Sequence, residues 1–253
     1  MLVMAKYIEN IFVCGGGHSG TTLMLAILDS HPLISSVPNE SGVFVKGYSD
    51  EEILSVVKAW RKRYNLKKEI IAEKTPSHVK RIVKIFNIFP NAKVIIMVRD
   101  GRDAACSESY RLDSFAAAVK AWKGSSVHAL AHCNDPRVKL VKYEELITEQ
   151  TKICVDICNF IGIPWSDLML RHNESERKWW DTEVRPADLN KPLTGQNHKT
   201  NRNWQINQPI FDARGRWKKD MTQEQRAMFN SIAGSLLIKL GYVKNHDWVV
   251  DDL

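Results

Sequence analysis

The chain has 253 residues, of which 44% are apolar and 26% charged, a globular composition that excludes disordered, collagenous and fibrous classes. Its length allows one large domain or two small ones, and a single domain over residues 1–253 is expected. Lys and Arg number 36 against 29 Asp and Glu, and the net charge of +7 favours an anionic ligand without requiring nucleic acid.

In chain order, residues 8–14 read as a short buried strand, broken by Gly15, Gly16 and Gly17. Helical periodicity follows from Thr21 to Ser30, and His31-Pro32 ends it. Ser49 and Glu52 form a capping box that opens a helix to about Tyr64. Thr75-Pro76 marks another start, with a helix running to about Phe89. Residues 93–98, KVIIMV, form a continuous apolar run suited to a strand buried on both faces of a parallel sheet. Helices near Gly101 and over 113–133 follow, then a strand over 137–143 and a helix over 144–162, stopped by Gly162 and Pro164. Strands alternating with helices predict an α/β fold with a central parallel sheet. From 171 to 218 the pattern fades into a polar stretch rich in Asn, Lys, Arg and Trp, read as a long segment near a site. Thr222 and Gln225 form a second capping box, and Gly241 closes the last helix.

Five cysteines without a CxxC argue against a zinc site or redox pair, and a reducing, cytoplasmic setting fits them best. Cys154 and Cys158, four apart in a helical pattern, read as core. No run of 18 apolar residues is present, and Lys6 interrupts the first apolar stretch, so neither a membrane span nor a signal segment is expected.

The first strand runs into C-G-G-G-H-S-G-T-T. Strand, glycine turn and helix N-terminus make a phosphate cradle of backbone N–H groups. Gly15, Gly20 and Thr22 fit a Walker A spacing, but Thr21 stands where the nucleotide-binding lysine belongs, which argues against ATP or GTP. Farther on, the apolar strand ends in R-D-G-R-D-A-A-C-S, with Arg99 and Ser107 eight apart. A guanidinium fork with a hydroxyl suits a phosphate. Read alone, this stretch could also be a solvated helix start with local ion pairs, and Arg102 and Asp103 fit that description. Asp100 also mimics a Walker B carboxylate.

Together, G-G-x-S-G-T-T and the Arg99/Ser107 pair resemble the sulfotransferase family, which uses 3′-phosphoadenosine 5′-phosphosulfate (PAPS), and the flavour is that of its bacterial and tyrosylprotein branch. The resemblance spans about residues 8–241. It implies a P-loop-like three-layer α/β/α fold and in-line transfer of a sulfuryl group from PAPS to an acceptor hydroxyl or amine, with no metal required. It implies that Gly16, Gly17, His18, Ser19, Gly20, Thr21 and Thr22 hold the 5′-phosphosulfate. Arg99 and Ser107 would hold the 3′-phosphate. Tyr143, in V-K-Y-E-E-L, and Arg214, Trp217 and Lys218, in and beside G-R-W-K-K, would close around the nucleotide. His18 stands where the family has Lys or Arg, and a protonated imidazole would make activity pH-sensitive.

Within the same resemblance Glu40 is the expected base, with His31 as its alternative. Lys74, in E-K-T-P, would stabilise the leaving phosphate. Ala213 stands where the branch has a serine. Trp179, Trp180 and Trp204 suit either stacking on an acceptor or core packing. Small-molecule, glycan, lipid and peptide acceptors all remain open. Two alternatives compete: a P-loop phosphotransferase or NTPase, and a non-enzymatic anion- or nucleic-acid-binding module built on Lys58, Arg61, Lys62, Arg63, Lys67 and Lys68, which otherwise form a solvated face. No nucleic-acid partner is expected.

Overall fold

Every residue of Asn10–Gly15 (β1) is buried, as a central strand of a parallel sheet requires. The computed structural model describes residues 10–108, 114–188, 190–191 and 194–250; Ile8 and Glu9 of the expected first strand lie outside them. β1 pairs on one side with Ile70–Lys74 (β3) and on the other with Lys93–Val98 (β4). Ile34–Ser36 (β2) and Val138–Lys142 (β5) complete the order β2-β3-β1-β4-β5, every pairing parallel. The chain leaves β1 for one edge of the sheet and later crosses from β3 to β4. The crevice at the carboxyl end of β1 is therefore a topological switch point, where open α/β sheets bind ligands.

Strand alternation sorts the core into two faces. Ile11, Val13, Ile95 and Met97 pack on one face with Thr21–Asp29 (α1) and Gln150–Ile161 (α7), where Cys154 and Cys158 are buried as expected. Phe12, Cys14, Val94 and Ile96 pack on the other with Asp50–Arg63 (α2) and Ile82–Ile88 (α3). The result is the expected three-layer α/β/α arrangement. A third cluster joins Gly101–Glu108 (α4), Phe115–His132 (α5) and Gln223–Lys239 (α10). Both capping boxes form, at Ser49/Glu52 and Thr222/Gln225.

Several elements depart from the sequence pattern. β2 and β3 carry no clear apolar run, because β3 ends in the buried charges Glu73 and Lys74. The segment after Thr75 opens as a 3₁₀ turn, Pro76–Arg81, and the Thr75 hydroxyl bonds Glu73 rather than capping it. The helix expected over 144–162 is two, Tyr143–Thr148 (α6) and α7, divided at Glu149. The fading stretch from 171 to 218 holds a full helix, Gly195–Gln205 (α8), and the short Trp217–Asp220 (α9).

The glycine of R-D-G-R-D has a packing reason. A Cβ on Gly101 would lie 2.5 Å from the Trp122 ring and 2.7 Å from Phe229. Neither ring has room to yield, being 2% and 0% exposed. Gly101→Ala should therefore destabilise the chain by about 1–3 kcal/mol through overpacking, read as a lower urea midpoint with an unchanged slope.

Candidate active site

β1 enters the glycine turn with its backbone pressed against β4. A Cβ on Gly15, at φ +147°, would meet the Met97 carbonyl oxygen at 2.1 Å. Gly20 sits left-handed at the N-cap of α1, where no side chain caps the helix, leaving its first N–H groups to face the crevice. A Cβ on Gly20 would press on the Tyr143 ring at 2.8 Å. Gly15, Gly17, His18, Gly20, Thr21 and Thr22 line a cleft of about 1000 Å³. Gly16 and Ser19 belong to the same turn but sit behind it. Ser19 is 1% exposed, and its Oγ finds no hydrogen-bond partner within the protein.

His18 is one of two non-glycine residues among those described with positive φ, at 57°. Such a conformation costs on the order of 1 kcal/mol and persists only where its surroundings impose it. Arg99 Nη1 donates to the His18 carbonyl at 3.1 Å, and Ser107 Oγ lies 2.9 Å from His18 Nδ1. The cradle and the Arg99/Ser107 pair, 81 and 89 residues apart from His18, are thus one structure. Arg99 also donates to Ala213 O at 2.6 Å and lies 4.7 Å over the Tyr143 ring, while its buried Nε has no partner in the protein. Tyr143 donates in turn to the Phe211 carbonyl.

Across the cleft, Lys74 Nζ lies 2.5 Å from Glu40 Oε1. The Lys74 side chain is 4% exposed and that of Glu40 50%. Burial holds the Lys74 ammonium below the ordinary lysine range, although Glu40 partly offsets this. His31, by contrast, is not at the cleft. Its Nε2–H donates to Pro164 O and its Nδ1 accepts from Leu33 N, so it packs the turn after α1.

The C-terminal element corrects three expectations. Trp217 does not cover the cleft: its ring is buried against Trp248, with the Arg102 guanidinium 3.9 Å from its centroid. Arg214 is an exposed residue tied to Asp212, and Lys218 is exposed outside the lining. Arg216 faces the cleft instead, together with the 61% exposed Phe211. Asp103 explains the geometry, because its carboxylate accepts from Gly215 N and Trp217 N and turns the element inward. Asp100 gives both oxygens to Arg102, which removes the Walker B reading. Lys58, Arg61, Lys62, Arg63 and Lys67 are exposed along and after α2, away from the cleft, as a solvated face.

Sequence reasoning missed α8. Its His198, Lys199, Arg202 and Gln205 line the cleft, while Asn203 on another face bonds the backbone of Trp179, Trp180 and Thr182. Trp180 joins the lining, Trp179 packs in the core, and Trp204 does neither. The signal was the asparagine spacing over 197–207, which has no apolar period to find. Eight basic or imidazole groups line the cleft, and Glu40 is the one carboxylate among the described lining residues.

A model described as the Sulfotransferase family matches residues 46–167. Protein-tyrosine sulfotransferase 1 of Danio rerio is 28% identical over 198 residues, 65% of this chain and 56% of that protein. Protein-tyrosine sulfotransferase A of Caenorhabditis elegans is 24% identical over 270 residues, 93% of this chain and 67% of that protein. For most of these curated relatives the chain spans little more than half their length. The solved sulfotransferase domain from the curacin biosynthetic pathway shares the fold with a TM-score of 0.61 at 17% identity, covering 92% of this chain and 98% of that one. Mouse sulfotransferase SULT7A1 complexed with PAP gives 0.54 at 17%, covering 92% and 84%.

Arg99→Lys keeps a charge but cannot hold His18 O and Ala213 O in one fork. It should release the 210–216 element by about 1.5–3 kcal/mol, read as faster amide exchange at Gly215 and Trp217 with the global melting temperature little changed.

Proposed function

The chain belongs to the sulfotransferase family, and on that premise we propose that it moves a sulfuryl group from PAPS to an acceptor hydroxyl by in-line transfer. The observation that carries this is the Glu40–Lys74 pair facing a phosphate cradle across one strongly basic cleft. The residues fit the nucleotide. Ser19 Oγ and Arg99 Nε are buried donors without protein partners, and the open N-terminus of α1 suits an anion. PAPS supplies an activated sulfuryl group with a good phosphate leaving group.

In this reading the loop amides of residues 16–22, with Ser19 and Thr22, hold the 5′-phosphosulfate, and Arg99 and Ser107 hold the 3′-phosphate. Glu40, half-exposed, takes the acceptor proton, a role worth about 10²–10⁴-fold. Lys74 neutralises charge that grows on the leaving phosphate, and its burial strengthens that effect. His18, held by Arg99 and Ser107 with its backbone strained, adds an imidazole to the cradle where a fixed cation is absent. The curated relatives are named for protein tyrosine, so a tyrosyl peptide is the first acceptor to assay, beside small phenols.

The product nucleotide 3′-phosphoadenosine 5′-phosphate (PAP) should bind in the micromolar range by calorimetry, and ATP with magnesium should not; the reverse would overturn the donor assignment. Glu40→Gln should lower kcat by at least about 100-fold while leaving PAP affinity unchanged. Lys74 acts when protonated, and burial lowers the pH at which it loses its proton. The alkaline limb of kcat should therefore lie below the ordinary lysine range, and Lys74→Arg should abolish that limb whatever its residual rate.

A further inference from the structure

Strand alternation sends Lys74 toward the cleft and its neighbours Glu73 and Thr75 to the opposite side. Glu73 and His78 are 0% exposed and Thr75 4%. A buried carboxylate is a costly way to fill space, and apolar residues would serve stability as well. Its partners show what it holds. Glu73 Oε1 accepts from Ser41 N at 2.9 Å, Ser41 Oγ at 2.8 Å and Thr75 Oγ1 at 2.6 Å. Thr75 Oγ1 accepts from Gly42 N at 3.1 Å, Ser41 Oγ from Val43 N at 3.2 Å, and His78 Nε2 from Phe44 N at 3.4 Å.

The four amides that follow Glu40 are thus all bonded by this cluster. Nδ1 of His78 lies 3.2 Å from Glu73 Oε2. Full burial alone would push the Glu73 carboxyl up, but His78, Thr75 and Ser41 outweigh it and hold the carboxyl below its ordinary range. The anion is therefore a fixed part of the fold, and the loop carrying Glu40 is built onto it.

We propose that Glu73 is a positioning residue which, with Thr75 and His78, clamps residues 41–44 and so holds the Glu40 carboxylate against Lys74; this rests on the reading of Glu40 as the base. Glu73 touches no reacting atom. It acts by fixing the backbone from which Glu40 projects, and misplacement of such a group by about 1 Å costs on the order of 100-fold in rate.

The test uses Thr75→Val, which removes the hydroxyl while keeping the shape, Glu73→Gln as a second variant, and Thr75→Ser as the rescue. Thr75→Val should speed amide exchange at Ser41 and Gly42 and lower kcat by about tenfold or more, with PAP affinity by calorimetry within twofold of the parent. Thr75→Ser should restore both. In a Glu40→Gln background Thr75→Val should lower kcat no further, because the clamp acts through Glu40. Unchanged exchange at 41–44 in both Thr75→Val and Glu73→Gln overturns the clamp. Rate losses that multiply with Glu40→Gln overturn its action through Glu40. If Glu40→Gln alone keeps full kcat, the base assignment falls, while the exchange data still decide the clamp.

Discussion

The Arg99 guanidinium is the constraint on which the cleft depends. It joins the glycine loop through His18 O and the C-terminal element through Ala213 O, and it lies over Tyr143 from α6. Its own carbonyl accepts from Trp122 Nε1 on α5. Four parts of the chain far apart in sequence are thereby fixed to the end of β4. Two of its three nitrogens donate to carbonyls, and its face lies over the Tyr143 ring. The one buried nitrogen left over, Nε, lies beside the cleft where an anionic ligand would be held.

The same economy governs the other charges at the carboxyl ends of the strands. Asp100 and Arg102 satisfy each other in a bidentate pair, and the Arg102 face then lies on Trp217 and Trp248. Asp103 spends its two oxygens on backbone amides of residues 215 and 217. Glu73 accepts the Ser41 amide through Oε1. Carboxylates here hold loops in place, and cations are left to face the cleft. That division explains how a basic cavity can sit on a sheet edge crowded with acids.

Much of this was legible in the sequence, and the reasons for the rest are physical. β1 and β4 are buried on both faces and therefore read as unbroken apolar runs. The glycine turn, the Arg99/Ser107 spacing and the two capping boxes each rest on local chemistry that residue type alone reveals. β3 escaped notice because Glu73 and Lys74 break its apolar pattern, and they do so for the sake of the site. The inward turn at 215–217 depends on Asp103, more than a hundred residues away, so neighbouring basic residues could not be ranked: Arg216 lines the cleft, whereas Arg214 and Lys218 stay outside. Trp217 follows from the same turn, which directs its ring into the α4–α10 cluster.

One wall of the cleft is made differently from everything else. α8 presents basic and imidazole groups on one side and carboxamides on another. Asn197, Asn201, Asn203 and Asn207 together bond the backbone at Asp188, Ala187, Trp179, Trp180 and Arg177. A helix of eleven residues with this composition has little tendency to form alone in water. Among its described residues the irregular strap before it, over 177–188, has no ladder and leans on those same carboxamides. Neither piece is a stable partner for the other until both are in place, so they order and melt as one cooperative unit rather than fraying residue by residue. Besides the carboxamide bonds, Arg177 ties the strap to Asp29 and Ser30, and Trp179 and Ile206 anchor the unit in the core on the α1 face. Its opening exposes less apolar surface than unfolding of the whole sheet and so carries a smaller heat-capacity change. The α8 wall of the cleft is thus thermodynamically separable from the sheet beneath it.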